Sequence, residues 1–332
     1  MKFGIMASHQ YLFEDDLQQR LEELWDIVEH AAELGYDSVW AINHFLGSLN
    51  TPQPISMMAK LIEHSGDMQV GSGILILPLF NPIHVAEEFA TLDQLSRGRV
   101  ILGVGAGYRR HEFESMGVPM EKRGARLGES VRLIKALWSG ERISFEGQFY
   151  SLQEQRIGVL PYREGGPPVY IGAGTVAGVR RAARLGDAWY APGNSPSPTY
   201  LPKAVKTYED ALAEYGREDA DVSRTIGVEL YCAPTTEQAW EDAMPFVKHE
   251  YHTYGEYEEL SWQKDRFDDL VRHTLLIGSP DELIERIRVF ADLGFDHLIF
   301  RPWWLGMPAQ QAKRSLSLVA NEVFPAFKEV RA

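Results

Sequence analysis

The chain has one cysteine, Cys232, among 332 residues. That excludes an internal disulfide and thiolate zinc sites, and it fits a reducing, cytoplasmic setting. Positive charge is in deficit: 33 Lys and Arg stand against 47 Asp and Glu, a formal charge of −14. Nucleic acid and anionic membrane surfaces select a basic face, so neither is an expected partner. Long apolar runs are also missing. The longest, Gly73 to Phe80, is far too short to span a bilayer. The opening Met1-Lys2-Phe3-Gly4-Ile5-Met6 gives way to Ser8, His9 and Gln10 too soon for a secretory leader. It reads as a first strand.

What is present is a repeated design. Ala31 to Trp40, Ala182 to Tyr190 and Phe290 to Phe300 each carry a helical stretch that stops at Leu-Gly before a short β-rich run. Glycine tolerates the left-handed conformation that ends a helix. Strands are expected near 2–6, 37–41, 69–75, 100–104, 169–172, 188–191, 226–231 and 296–301, with helices between them and a last helix near 309–329. Eight such alternations predict one (β/α)8 TIM barrel over residues 1–332, an architecture of roughly 250 residues. The surplus falls to insertions at about 140–168 and 250–272. The first holds a hairpin from Ile143 to Leu152. The second, with Tyr251, Tyr254, Tyr257, Trp262 and Phe267, is either a lid or a solvated helix. A doubly wound open sheet is the rival, weakened because no strand–glycine–helix turn opens the chain.

Barrel chemistry sits at the C-terminal strand ends. In order, these ends are Ala7-Ser8-His9, Asn43-His44-Phe45, Ser72-Gly73-Ile74, Gly105-Ala106-Gly107-Tyr108, Gly172-Ala173-Gly174-Thr175, Pro192-Gly193-Asn194, Cys232-Ala233-Pro234 and Arg301-Pro302-Trp303-Trp304. They offer no lysine for a Schiff base and no carboxylate pair for a glycosidase. His9 and His44 lack the further ligands of a metal centre, and Ser8 and Ser72 lack a triad context. A mouth poor in catalytic side chains and rich in glycine suits an organic cofactor that carries the chemistry. Val169 to Thr175 before a helix is either a phosphate seat or an ordinary capped turn.

Several motifs run through nearly the whole chain: Gly35-Tyr36-Asp37-Ser38-Val39-Trp40 to Asn43-His44-Phe45, Gly71 to Pro78 with Asn81-Pro82, Ala86 to Ser96 into Gly98-Arg99, Gly103-Val104-Gly105-Ala106-Gly107-Tyr108, Arg123 to Trp138, and Ile277 to Glu282. With these the sequence resembles the bacterial-luciferase-like flavin-dependent monooxygenases. The resemblance implies reduced FMN at the barrel mouth, with O2 and a small organic substrate. His44 is then the catalytic histidine beside the flavin's reactive edge, with Asn43 standing where the family often has an acid. It further implies a non-proline cis peptide at Gly73–Ile74 behind the ring, with Ser72 alongside. Gly105, Ala106, Gly107 and Tyr108 would run along the flavin edge, and Gly172, Ala173, Gly174 and Thr175 would hold the phosphate. Arg126 either assists that phosphate or pairs with Glu129. His9, Phe80, Trp303 and Trp304 are candidates for the substrate cavity or for the core. A homodimer and a separate flavin reductase are the implied partners, and no metal is. Two other readings stay open on the same fold: a deazaflavin-dependent dehydrogenase or reductase, and a flavin-binding protein without turnover. Tyr108 departs from deazaflavin enzymes that oxidise sugar phosphates and keep an acid at that position.

Overall fold

The computed structural model describes residues 1–193, 199–220, 222–255, 267, 271 and 274–327. The chain runs β1 (Lys2–Ala7), α1 (Leu17–Glu33), β2 (Ser38–Ala41), α2 (Pro54–His64), β3 (Gln69–Ser72), β4 (Leu75–Ile76), α3 (Pro82–Ser96) and β5 (Val100–Gly105). It continues with α4 (Arg110–Ser115), α5 (Arg123–Leu137), a hairpin of β6 (Ile143–Glu146) and β7 (Ser151–Gln155), β8 (Val169–Gly172), α6 (Val176–Leu185), β9 (Ala188–Pro192) and α7 (Tyr200–Glu214). The last part is β10 (Ser223–Cys232), α8 (Thr236–Tyr254), β11 (Leu276–Gly278), α9 (Pro280–Asp292), β12 (His297–Arg301) and α10 (Ala309–Leu318).

Eight strands close a parallel barrel in the order β1-β2-β3-β5-β8-β9-β10-β12, with β12 returning to β1. Local chemistry sets the element ends. Asp16, Asn81, Thr175 and Ser279 each cap a helix by accepting a first-turn amide, which satisfies donors that have no partner inside the helix. Gly35 and Gly294 take the left-handed conformation, with φ of 78° in both, as the Leu-Gly pattern predicts. Gly186 does not, at φ −83°. There a Cβ would lie 2.8 Å from the Ala188 carbonyl oxygen, so close approach rather than backbone freedom demands glycine.

The barrel interior is filled by Trp40, Ile101, Tyr170, Ala188, Tyr190 and Ile299. Trp40 takes its room from its neighbours: a Cβ on Gly71 would stand 2.3 Å from the indole. A Cβ on Gly103 would stand 1.8 Å from the Ser72 carbonyl oxygen. The glycines of β3 and β5 therefore serve strand and indole packing as well as the mouth.

Two sequence-based expectations shift. First, β10 is ten residues long. Its barrel pairings stop at Gly227 against β9 and at Glu229 against β12. Beyond them Leu230, Tyr231 and Cys232 pair with β11, outside the barrel. Strand seven thus delivers Gly227, Val228 and Glu229 to the mouth, not Cys232, Ala233 and Pro234. Second, residues 250–254 continue α8 rather than starting an insertion. Most of the rest of 250–272, Tyr257 and Trp262 included, lies outside the described residues, as does Asn194 of the sixth strand end. Among the described residues, no helix is long and apolar enough to cross a membrane.

Candidate active site

The C-terminal mouth of the barrel holds a cavity of about 570 Å³. The strand-end residues Asn43, His44, Gly73, Ile74, Gly105 to Tyr108 and Gly172 to Thr175 all line it. The Gly73–Ile74 peptide is cis. Behind this wall Ser72 makes no cavity surface. Its hydroxyl donates to the Gly103 carbonyl at 2.7 Å and accepts the Gly103 amide at 3.0 Å, tying β3 to β5. A Cβ on Gly105 or Gly172 would stand 2.6 Å or 3.0 Å from Ile74. Bare backbone at both strand ends is thus what lets Ile74 sit between them.

His44 stands on the loop after β2, with its side chain 15% exposed. Its Nδ1 lies 3.1 Å from Oε1 of Glu112, a fully buried residue of α4. The same oxygen accepts the Phe45 amide at 2.8 Å. An ionised carboxylate only accepts, so Nδ1 carries the hydrogen and Nε2 presents a lone pair. The Tyr108 hydroxyl lies 3.4 Å from that Nε2. Burial lowers the His44 pKa, Arg109 and Arg301 lower it further, and Glu112 opposes them. The imidazole is therefore neutral at pH 7 and able to take a proton. Tyr108 exposes 40% of its surface at the rim, yet its hydroxyl is turned inward. Desolvation there raises its pKa, with Arg109 opposing, and it remains a donor. Asn43 braces the wall by accepting the Ile76 amide at 3.0 Å.

The far side of the mouth is positive. Gly174, Thr175 and Gly178 line the cavity at the N-terminus of α6, together with Arg123 and Arg181. The Thr175 Oγ1 accepts the Gly178 amide at 3.2 Å. Arg181 feels desolvation and the like charges of Arg184 and Arg123, and these lower its pKa. Among the described residues no carboxylate pairs with Arg123 or Arg181. A helix N-terminus carrying two unneutralised guanidiniums, in a chain of charge −14, is a seat for an anion.

Other sequence candidates stand elsewhere. Arg126 is outside the cavity wall: it donates to the Tyr150 hydroxyl at 2.9 Å and stacks on Phe149 and Tyr150. Nor does it pair with Glu129, whose carboxylate accepts the Gln148, Phe149 and Tyr150 amides. His9 is fully buried, with Nε2 accepting the Ile42 amide at 3.0 Å. Burial takes its pKa down to about 4. Phe80 packs on Phe45. Trp303 donates to the Met307 carbonyl at 2.6 Å, and Trp304 donates to Glu229. These two tryptophans border a much smaller crevice of about 10 Å³. The cavity is lined there instead by Gln10, Tyr251, Tyr254, Glu229, Glu250 and Arg301. Glu229, hidden from sequence reading by the overlong β10, stands at the end of strand seven, and Glu250 comes from α8, so the strand ends still offer no carboxylate pair. Among the described residues no cluster of three or more His, Cys, Asp or Glu is placed to hold a metal.

A family model described as luciferase-like monooxygenase matches residues 1–297. The chain belongs to this family. It is a luciferase-like oxidoreductase built on the family's (β/α)8 barrel. It is 30% identical over 322 residues to an F420-dependent glucose-6-phosphate dehydrogenase of Amycolatopsis mediterranei, covering 91% of this chain and 94% of that one. A relative of the same description from Rhodococcus hoagii is 29% identical over 345 residues, covering 99% and 98%. Among solved structures, monooxygenase RslO1 from Streptomyces bottropensis superposes with a TM-score of 0.89 at 23% identity, over 99% of this chain and 100% of that one. An F420-dependent secondary alcohol dehydrogenase with an F420–acetone adduct superposes at 0.81 and 21% identity, over 99% of both chains. Likeness at that identity shows the shared fold.

Proposed function

We infer that the cavity binds a deazaflavin of the F420 type and that the enzyme moves hydride between it and an alcohol or carbonyl substrate. The observation that carries this is His44: neutral, oriented by Glu112, with its Nε2 turned to Tyr108 and the cavity. The dehydrogenase relatives, matched along almost their whole length, support the cofactor. The residues present fit it. Backbone without side chains at Gly105 to Gly107 and Gly172 to Gly174 leaves a flat wall, and Thr175, Gly178, Arg123 and Arg181 would hold a phosphate.

When bound, the deazaflavin supplies a ring carbon that accepts or returns hydride. The chain's own residues do the proton work. His44 Nε2 takes the hydroxyl proton of an alcohol, or returns it to a carbonyl oxygen in the reverse direction. Glu112 holds the ring and stabilises the imidazolium that results. Tyr108 donates to the substrate oxygen or back to His44.

A second reading, reduced FMN with O2, is favoured by Tyr108, which stands where sugar-phosphate-oxidising deazaflavin enzymes keep an acid. It would draw on a separate reductase. Anaerobic titration with reduced F420 and with reduced FMN, followed by O2, separates the two. Selective F420 binding that O2 leaves unperturbed supports hydride transfer. Selective FMN binding with an oxygen-dependent absorbance transient would overturn it.

A further inference from the structure

The two ends of the cavity carry opposite charge, and the acidic end has one carboxylate that no cation neutralises among the described residues. Glu229 of β10 and Arg301 of β12 are neighbours in register, and both line the cavity. Yet Arg301 makes its ion pair with Glu250. Glu250 is held a second time by the Leu305 amide at 3.2 Å. Among the described residues Glu229 is held only by neutral donors, the Trp304 indole and the Tyr251 hydroxyl. Two donors leave a carboxylate with unused lone pairs, and here they adjoin the cavity.

We propose that Glu229 is the specificity-determining residue of this enzyme, accepting a hydrogen bond from a hydroxyl or protonated amine of an alcohol substrate that carries no phosphate. This rests on the hydride-transfer reading of the same cavity. An anionic substrate at this end would meet Glu229 and the already satisfied Glu250–Arg301 pair, at the full cost of desolvating like charges. The cations able to take an anion, Arg123 and Arg181, stand at the α6 end, where the cofactor phosphate belongs. Tyr254 lines the same cavity. Its ring lies 5.6 Å from Arg109 and 6.0 Å from Arg301, and its hydroxyl is bonded to Gln10. The substrate end is therefore a wall of phenols around one acid left without a cation among the described residues, suited to a flat or cyclic organic body with a donor at its edge.

The test is calorimetric titration with three six-carbon probes: cyclohexanol, trans-4-aminocyclohexanol and glucose 6-phosphate. It is run on protein loaded with oxidised F420, and again on protein saturated with inorganic phosphate to fill the arginine end. The expected result is an amine bound about tenfold tighter than the neutral alcohol, the size of one charge-assisted hydrogen bond, with no binding of glucose 6-phosphate. E229Q keeps an acceptor for Trp304 and should erase the amine's advantage over cyclohexanol. Glucose 6-phosphate binding tighter than cyclohexanol, an amine advantage that survives in E229Q, or no binding by any probe overturns the proposal. Failure of F420 to load the protein would sink the cofactor reading alone, because the phosphate-saturated arm still reads this one.

Discussion

Glu112 Oε1 lies 3.1 Å from His44 Nδ1 and 2.8 Å from the Phe45 amide, so one buried oxygen fixes both the ring of the histidine and the backbone that follows it. The pair joins the loop after β2 to a short helix after β5. Replacing Glu112 by Gln keeps the size but permits the other imidazole tautomer. We expect kcat/KM for alcohol oxidation to fall at least about tenfold, the worth of a charge-assisted hydrogen bond. KM should change little, because Glu112 does not line the cavity. An unchanged kcat in E112Q would remove the proposed proton relay.

The pH profile provides a second check. The His44 pKa is lowered from 6.5, first by desolvation. A base must be deprotonated, so activity should be full at neutral pH and fall only on an acid limb below pH 6.5. Glu112 is what holds that pKa up. In E112Q the limb should therefore move to still lower pH. Movement upward would mean the limb belongs to another group.

Removing one arginine of the α6 end should weaken cofactor binding, and removing Arg126 should not. We expect R181A to raise the Kd for F420 or FMN by about ten- to a hundredfold, the loss of one charged contact to a phosphate. The effect should shrink at high salt. R126A should leave Kd within about twofold and lower the melting temperature slightly, because its stacking on Phe149 and Tyr150 is worth about 0.5–1 kcal/mol. Fluorescence titration of the cofactor and a melting curve measure both.

Acid should loosen the fold through its buried histidines. Burial holds His9 at about 4 and His297 at about 3, both below 6.5. Above pH 6.5 neither state binds a proton at these positions. As pH falls through 6.5 the unfolded chain takes protons that the native one refuses. Each histidine then withdraws about 1.4 kcal/mol of stability per pH unit, down to its folded value. Urea midpoints measured from pH 7 to pH 4 should fall steadily. A flat profile would show that these rings protonate without unfolding.

Gly103→Ala would set a methyl where only 1.8 Å separates it from the Ser72 carbonyl oxygen. Neither strand can retreat, so we expect a loss above about 4 kcal/mol or no soluble protein. Ser72→Ala should cost less, about 1–3 kcal/mol, by orphaning one hydrogen-bonding pair. Denaturant unfolding of both variants orders the two effects.

The barrel was legible because its signals are local. Leu-Gly stops at Gly35 and Gly294 and the short β-rich runs that follow each speak within a few positions. The glycine stretches at 105–107 and 172–174 pointed to the cavity for the same reason. What was missed depends on geometry that short windows do not contain. Arg123 and Arg126 lie three residues apart on one helix, and spacing alone does not say which faces the mouth. Glu229 was hidden because the unbroken β-rich run from Ile226 to Cys232 gives no sign of where one pairing ends and another begins. Glu112 did carry a signal, an acid in the polar loop after the glycines. Its partner, 68 residues away, could come only from the fold.

The overrun of β10 has a mechanical meaning. One strand is both a stave of the barrel and the anchor of an outer layer: Leu230 to Cys232 pair with β11, and the Cys232 amide donates to Ser315 of α10 at 2.8 Å. Peeling that layer away means pulling on the strand that closes the barrel and carries Glu229. The outer layer and the acid of the substrate wall should therefore open together, as one cooperative unit in amide exchange.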